Sequence, residues 1–130
     1  MTAENAEIIR RGYDAFARAD LQAVFQMLDP GITWHVPGSG PLSGDYKGHA
    51  EVGGFFARTM ELSGGTFAID IQRILAAGDQ VVVLCTVSAE RHGQAWSSPE
   101  VQVWRVAGGR AVAFREFQGA EQAEDAFWSA

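Results

Sequence analysis

The chain has one cysteine, Cys85, three histidines and no apolar run approaching membrane-spanning length. A single thiol excludes a disulfide framework within the chain. Its place at the end of Val81-Val82-Val83-Leu84-Cys85 reads as a small buried hydrophobe. A helical membrane span needs roughly 20 consecutive apolar residues, so no membrane partner is expected. Basic residues are scarce: ten Lys and Arg stand against sixteen Asp and Glu, for a net charge of −6. With no Lys/Arg cluster, nucleic acid and anionic membrane surfaces are excluded as expected partners. The segment from Met1 to Glu7 is polar and acidic, which predicts no signal peptide and a cytoplasmic location. Internal repeats, linkers, a Walker loop, a dinucleotide fingerprint and a Ser-His-acid arrangement are all missing. No His/Cys/carboxylate spacing resembles a metal site, so the expectation is no metal and no cofactor.

The 130 residues, 47% hydrophobic and 20% charged, describe one soluble domain over 1–130. Its first half has helical periodicity. Ile9, Tyr13 and Phe16 recur at i, i+4 and i+7, beside a small-residue stripe of Ile8, Gly12, Ala15 and Ala19. Asp20 can cap a second helix carrying Leu21, Val24, Phe25 and Leu28, which Asp29-Pro30-Gly31 ends. Ile32 to Val36 reads as a short strand. Gly48 to about Leu62 is a third helix with Val52, Phe55, Phe56 and Met60 on one face, stopped by Ser63-Gly64-Gly65.

From Thr66 the period becomes two, and strands alternate with the turns Ala77 to Gln80, Arg91 to Gln94 and Ala107 to Arg110. The result is an antiparallel meander. Pro99 inside the third of these strands predicts a bulge at Ser97-Ser98-Pro99. Long strands with a bulge curl, and helices covering one face of a curled sheet enclose a cone. Trp34-His35-Val36-Pro37-Gly38 puts two polar-tipped rings at a strand exit, and Gly44-Asp45-Tyr46-Lys47-Gly48 follows. That wording suggests the mouth of a cavity with a glycine-rich rim.

This element order resembles the nuclear transport factor 2-like superfamily, and most of all its SnoaL-like branch, related to polyketide cyclases and ketosteroid isomerase. The matching stretches are Tyr13 to Leu21, Trp34 to Gly38, Gly44 to Gly48, Glu61 to Phe67 and Asp125 to Trp128. The resemblance implies an α+β fold: a cone-shaped, curved, mixed or antiparallel sheet wrapped on three N-terminal helices. It also implies a blind, mostly apolar pocket and a homodimer paired through the sheet face. The fold hosts enzymes and non-enzymes alike. Carried over residue by residue, the isomerase set is largely missing. Its general-base Asp falls at Val36, its protonated Asp at Gln102, and its helix Tyr at Gly12 or Tyr13. The water-activating set of limonene epoxide hydrolase falls on Thr86, Ser88 and Glu116, with His35 and Thr33 at its Asn and Tyr. SnoaL-type cyclases rest on a late-strand acid, a role that Glu116 fits.

Strand parity points to the same residue. Val112, Phe114, Glu116 and Gln118 share one face, as do Glu100, Gln102 and Trp104 on the strand before. A carboxylate among an indole and a phenyl ring is desolvated, which raises its pKa toward proton-transfer range. The alternative for Glu116 is a salt bridge to Arg105 or Arg115 at the sheet edge. His35 is the second catalytic candidate, provided that the following proline turns it inward. Gln102 and Tyr13 would polarise an oxygen. The expected substrate contacts are Tyr13, Phe16, Trp34, Phe55, Met60, Gln102, Trp104 and Phe114, with core packing the competing role for each. His49 and His92 are expected in solvent, and Phe127-Trp128 against the first helix or a partner chain.

Two functional readings follow. One is a cofactor-independent isomerase, cyclase or lyase acting by acid–base chemistry on an apolar, polyketide-like or other carbonyl substrate. The other is a non-catalytic module that sequesters or senses an apolar metabolite.

Overall fold

A computed structural model describes residues 2–130; Met1, which opens the polar amino-terminal segment, lies outside them. Helix α1 (Thr2–Ala17) and helix α2 (Leu21–Met27) lead into strand β1 (Leu28–Val36) and edge strand β2 (Gly44–Lys47). Helix α3 (Gly48–Ser63) precedes the meander β3 (Ala68–Ala77), β4 (Gln80–Arg91), β5 (Gln94–Ala107) and β6 (Arg110–Gln118). A last helix, α4 (Glu121–Ser129), follows. The six strands form one sheet in the order β2-β1-β6-β5-β4-β3, antiparallel except where β1 runs parallel to β6. None of the described helices is long and apolar enough to cross a membrane.

The helix signals act as their chemistry predicts. The Asp20 side chain accepts from Ala23 N at 3.2 Å and caps α2. Gly64, with φ of 61°, takes the left-handed position that closes α3. Gly12 lets α1 approach α2: a Cβ there would stand 2.2 Å from Met27 Cε.

Two local expectations are corrected. Leu28 is the C-cap of α2 and not one of its helical positions, and Asp29-Pro30-Gly31 follow after the helix has ended. They belong to β1, as the irregular stretch between Leu28 and Thr33 where the register with β6 slips. Pro99 makes no bulge, because β4 and β5 pair continuously through Thr86↔Pro99. Its carbonyl accepts from Gly119 N, so its missing N–H faces the side on which β6 has just ended. The slips lie instead between Ile71 and Arg73 and between Arg105 and Val106. At the first of these Gln72 is the extra residue, and the inward phase passes from Ile69 and Ile71 to Ile74 and Ala76.

Ile9, Leu28, Ile32, Val52, Val81, Val83 and Val87 are fully buried and knit the helices to the sheet. A second cluster joins Trp128 of α4 to Leu42 and Ala89, with Phe67, Trp96 and Phe127 packed against it. Trp128 is buried, as expected, but against the loop and strands that close one end of the cone and not against α1. His92 is exposed in its turn. His49 is not: it is half-buried, and its Nε2–H donates to the Leu28 carbonyl at 2.8 Å.

Candidate active site

The inner face of the sheet alternates aromatic and polar rows. Trp34, Phe114 and Trp104 stand opposite one another across β1, β6 and β5. Phe114 stacks on Trp34 with centroids 3.8 Å apart, and Trp104 meets both rings edge-on. Two residues further along, Gln102 pairs with Glu116, and Glu100 pairs with Gln118. The strands thus repeat one short pattern, Glu100-Val101-Gln102 and Glu116-Phe117-Gln118. Antiparallel pairing turns it into a square with acids on one diagonal and amides on the other. Each amide serves the acid of its own strand: Gln102 Nε2 donates to Glu100 at 3.0 Å, and Gln118 Nε2 to Glu116 at 2.9 Å.

The square continues in both directions. The Tyr13 hydroxyl donates to Gln102 Oε1 and accepts from Trp104 Nε1 at 2.9 Å. Glu100 lies beside both Glu116 and Glu124, the latter reaching in from α4. Oxygens of Glu100, Glu116 and Glu124 lie within 4.8 Å of one another, close enough to share protons or to close around a cation. All three residues are buried.

Burial dominates their electrostatics. Glu116 is pushed up from 4.5 to about 8, first by loss of water and then by the charge of Glu100. Glu100 rises to about 8 by burial and by Glu124, and Glu124 to about 8 by burial and by Glu116. The Tyr13 hydroxyl is raised well above its ordinary value, mainly by burial. Cys85 is pushed to about 12 by burial, which leaves an inert thiol.

Two neighbouring cavities meet at Glu116. One, of about 60 Å³, is lined by rings from α1, α3 and the sheet, with Tyr13, Thr59, Gln102 and Glu116 as its polar residues. The other, of about 30 Å³, lies under α4 and adds Glu100, Gln118, Glu124, Ser43 and Trp128. Phe55, Thr59, Phe67 and Glu116 line both.

The structure therefore gathers Tyr13, Phe16, Trp34, Phe55, Gln102, Trp104, Phe114 and Glu116 around the first cavity. Met60 is not among its lining residues; one position earlier on α3, buried Thr59 takes that place. His35 is turned away. It lies on the opposite side of β1 from Trp34 and Val36, and its Nδ1 pairs with Asp45 of β2 at 2.6 Å. Pro37 does not redirect it, so His35 and Glu116 share no cavity. Glu116 makes no edge salt bridge: Arg105 is 3.9 Å from Asp79, and Arg115 is exposed on the outer face. Tyr13 spends its proton on Gln102, which makes it a buttress of the network.

Sequence reasoning placed Glu100 beside Gln102 and Trp104 but gave it no role, and it missed Glu124 altogether. The repeated Glu-x-Gln would have marked the first. Glu124 needed α4, whose only periodic apolar residues are Phe127 and Trp128 near its end.

Comparisons with known proteins agree on one family. The model of the SnoaL-like domain matches residues 9–114. Rv0034 of Mycobacterium tuberculosis is 31% identical over 124 residues, covering 95% of each chain. Among solved structures, Bal32a from a soil-derived mobile gene cassette superposes with a TM-score of 0.94 at 32% identity, covering 98% of each chain. A protein with a cystatin-like fold from Xanthomonas campestris gives 0.92 at 30% identity over the full length of both chains. The chain belongs to the SnoaL-like family and carries its domain on the curved-sheet fold of the nuclear transport factor 2-like superfamily.

Proposed function

We propose that the protein binds a small carbonyl compound in the ring-lined cavity and moves a proton on it with Glu116, without a cofactor, as an isomerase, cyclase or lyase. The observation that carries this reading is the position of Glu116: a buried carboxyl at the junction of the two cavities, held near 8 by its surroundings. Such a group is matched to taking and returning a proton near neutrality. In its ionised form it accepts a proton from the carbon beside the carbonyl, and the C–H electron pair moves onto the carbonyl oxygen as an enolate. The same proton returns to carbon, or to another atom of the substrate, and restores the carboxylate. Gln118 holds Glu116 on one side, while Gln102, braced by Tyr13, holds Glu100 beside it. The aromatic walls exclude water, which keeps the carboxyl poised.

One observation favours the binding module instead. The Tyr13 hydroxyl gives its proton to Gln102 Oε1, so it has none left for a substrate oxygen. The two readings separate in heavy water. The catalyst exchanges the protons beside the carbonyl of 2-pentanone for deuterium at a rate at least about a hundredfold above that of Glu116→Gln, as general-base catalysis supplies. A module that only binds leaves both proteins at the buffer rate.

Pairing of two copies through the sheet belongs to the same proposal. Phe117 is 51% exposed on the outer face, and Leu75, which alternates with inward-facing Ile74, is 49% exposed. Sedimentation of the wild type and of Phe117→Glu tests it: a dimer becomes a monomer in the variant.

A further inference from the structure

Buried polar atoms in folded proteins nearly always have a partner, so the exceptions point to something that binds. Among the described residues, three buried side-chain atoms lack one: Trp34 Nε1, Gln118 Oε1 and Glu124 Oε1. All three belong to residues lining the two cavities that meet at Glu116. Their chemistry is sorted by cavity. Trp34, one of the residues lining the aromatic cavity, holds the orphan donor, since an indole N–H can only donate. Gln118 and Glu124, which line the cavity under α4, hold the other two, an amide oxygen and a carboxyl oxygen. Trp34 and Glu124 are 6% exposed, so bulk water does not satisfy them.

We infer that the site takes a compact hydroxy-carbonyl compound: its carbonyl oxygen accepts from Trp34 Nε1, its hydroxyl donates to Gln118 Oε1 or Glu124 Oε1, and Glu116 stands between. The Gln118 amide oxygen favours this orientation, because a hydroxyl facing the indole would leave the carbonyl opposite an atom that can only accept. Size narrows the class further. Cavities of about 60 and 30 Å³ are, even together, smaller than the roughly 150 Å³ that accepts a benzene ring. The ligand is therefore a short-chain molecule and not a fused-ring one. Oxygens at the two ends put the intervening carbon, the most acidic in a hydroxy-ketone, beside the Glu116 carboxyl. The assignment rests on the small-molecule reading of the cavity, but not on whether Glu116 transfers a proton.

The test uses three probes of nearly equal shape. In 4-hydroxy-2-butanone both groups are present; 2-pentanone replaces the hydroxyl by methyl; 3-methyl-3-buten-1-ol replaces the carbonyl oxygen by methylene. Binding is followed on the wild-type protein by the four indole N–H resonances, of which Trp34 is identified by the spectrum of Trp34→Phe. The hydroxy-ketone is expected to bind at least about tenfold tighter than either analogue, because each analogue leaves a buried polar group unpaired. The Trp34 indole resonance should move with the two ketones and stay still with the alkenol. Gln118→Leu should narrow the advantage over 2-pentanone while sparing the advantage over the alkenol. Equal affinities for the three probes, with the Trp34 resonance unmoved, overturn the assignment. Deuterium exchange into 2-pentanone at saturation is read separately, so loss of the proton-transfer reading and loss of this one produce different results.

Discussion

Glu100 and Glu116 occupy diagonal corners of a β5–β6 square whose other corners are Gln102 and Gln118. Two carboxyls that close cannot both ionise cheaply in a dry interior, so the first proton lost makes the second harder to lose. Each amide offers its acid a hydrogen bond that favours the charged form, and burial outweighs it. The balance sets Glu116 near neutrality. Removing the neighbouring charge should upset it in a known direction. In Glu100→Gln the rise of proton-exchange rate with pH should move to lower pH, by roughly one unit. A pH–rate profile for 2-pentanone exchange checks this, and an unmoved profile would separate Glu100 from Glu116.

Stability should fall as the medium becomes alkaline. Glu100, Glu116 and Glu124 have an ordinary value of 4.5 and values of about 8 in the folded protein. Between these limits the native state holds more protons than the unfolded chain, so the free energy of unfolding decreases as pH rises through that window. It is highest below about 4.5, as far as these three groups decide, and their contribution is lost by the time pH passes about 8. Urea midpoints at pH 5.5 and pH 8.5 check the sign. Glu124→Gln should flatten the slope, whereas equal slopes in wild type and variant would contradict the burial of a titrating cluster.

His35 should be dispensable for chemistry. It lies on the outer face with Asp45, so His35→Ala is expected to keep its exchange rate within about twofold and to cost at most about 1 kcal/mol of stability. Kinetics and urea unfolding on the same preparation check both. A hundredfold loss of exchange would put His35 back into the mechanism.

The Asp125 carboxylate ties helix α4 to the loop after β1. Asp125 accepts from Ser39 N at 2.9 Å and from Ser39 Oγ at 3.3 Å. Gly38 has φ of 96°, and a Cβ there would stand 2.4 Å from Asp125 Oδ1. Gly38→Ala should therefore cost about 1–3 kcal/mol and loosen the contact of α4 with the rim, while Trp128 keeps the helix docked. Amide hydrogen exchange across residues 121–129 checks this, with Asp125→Ala as a milder companion. Unchanged protection in both variants would contradict the fastening.

The parts legible in the sequence are those governed by period and punctuation. Alternation on β5 and β6 put Gln102, Trp104, Phe114 and Glu116 on one face, and Asp20 and Gly64 marked helix ends by their local chemistry. What escaped depended on contacts distant along the chain. The direction of His35 is the one strand alternation gives, opposite Trp34 and Val36. The expectation that Pro37 would turn it inward overlooked its partner Asp45, on an edge strand that only a short glycine-bounded stretch announces. On α3, Met60 and Thr59 differ by one step of rotation, and the packing of Phe56 between Trp34 and Phe16 decides which of them turns inward. Glu124 enters the site because Trp128 anchors α4 among Leu42, Ala89 and Trp96. None of those contacts is local.

Proton transfer by this site depends on one ionisation, that of Glu116. Selective carbon-13 labelling of the glutamate side-chain carboxyls, with the resonance of Glu116 identified from Glu116→Gln, follows that ionisation directly by NMR. The account predicts a midpoint near 8 for that carboxyl. A midpoint near 4.5, the ordinary value, would show a carboxylate charged at all working pH and would contradict it.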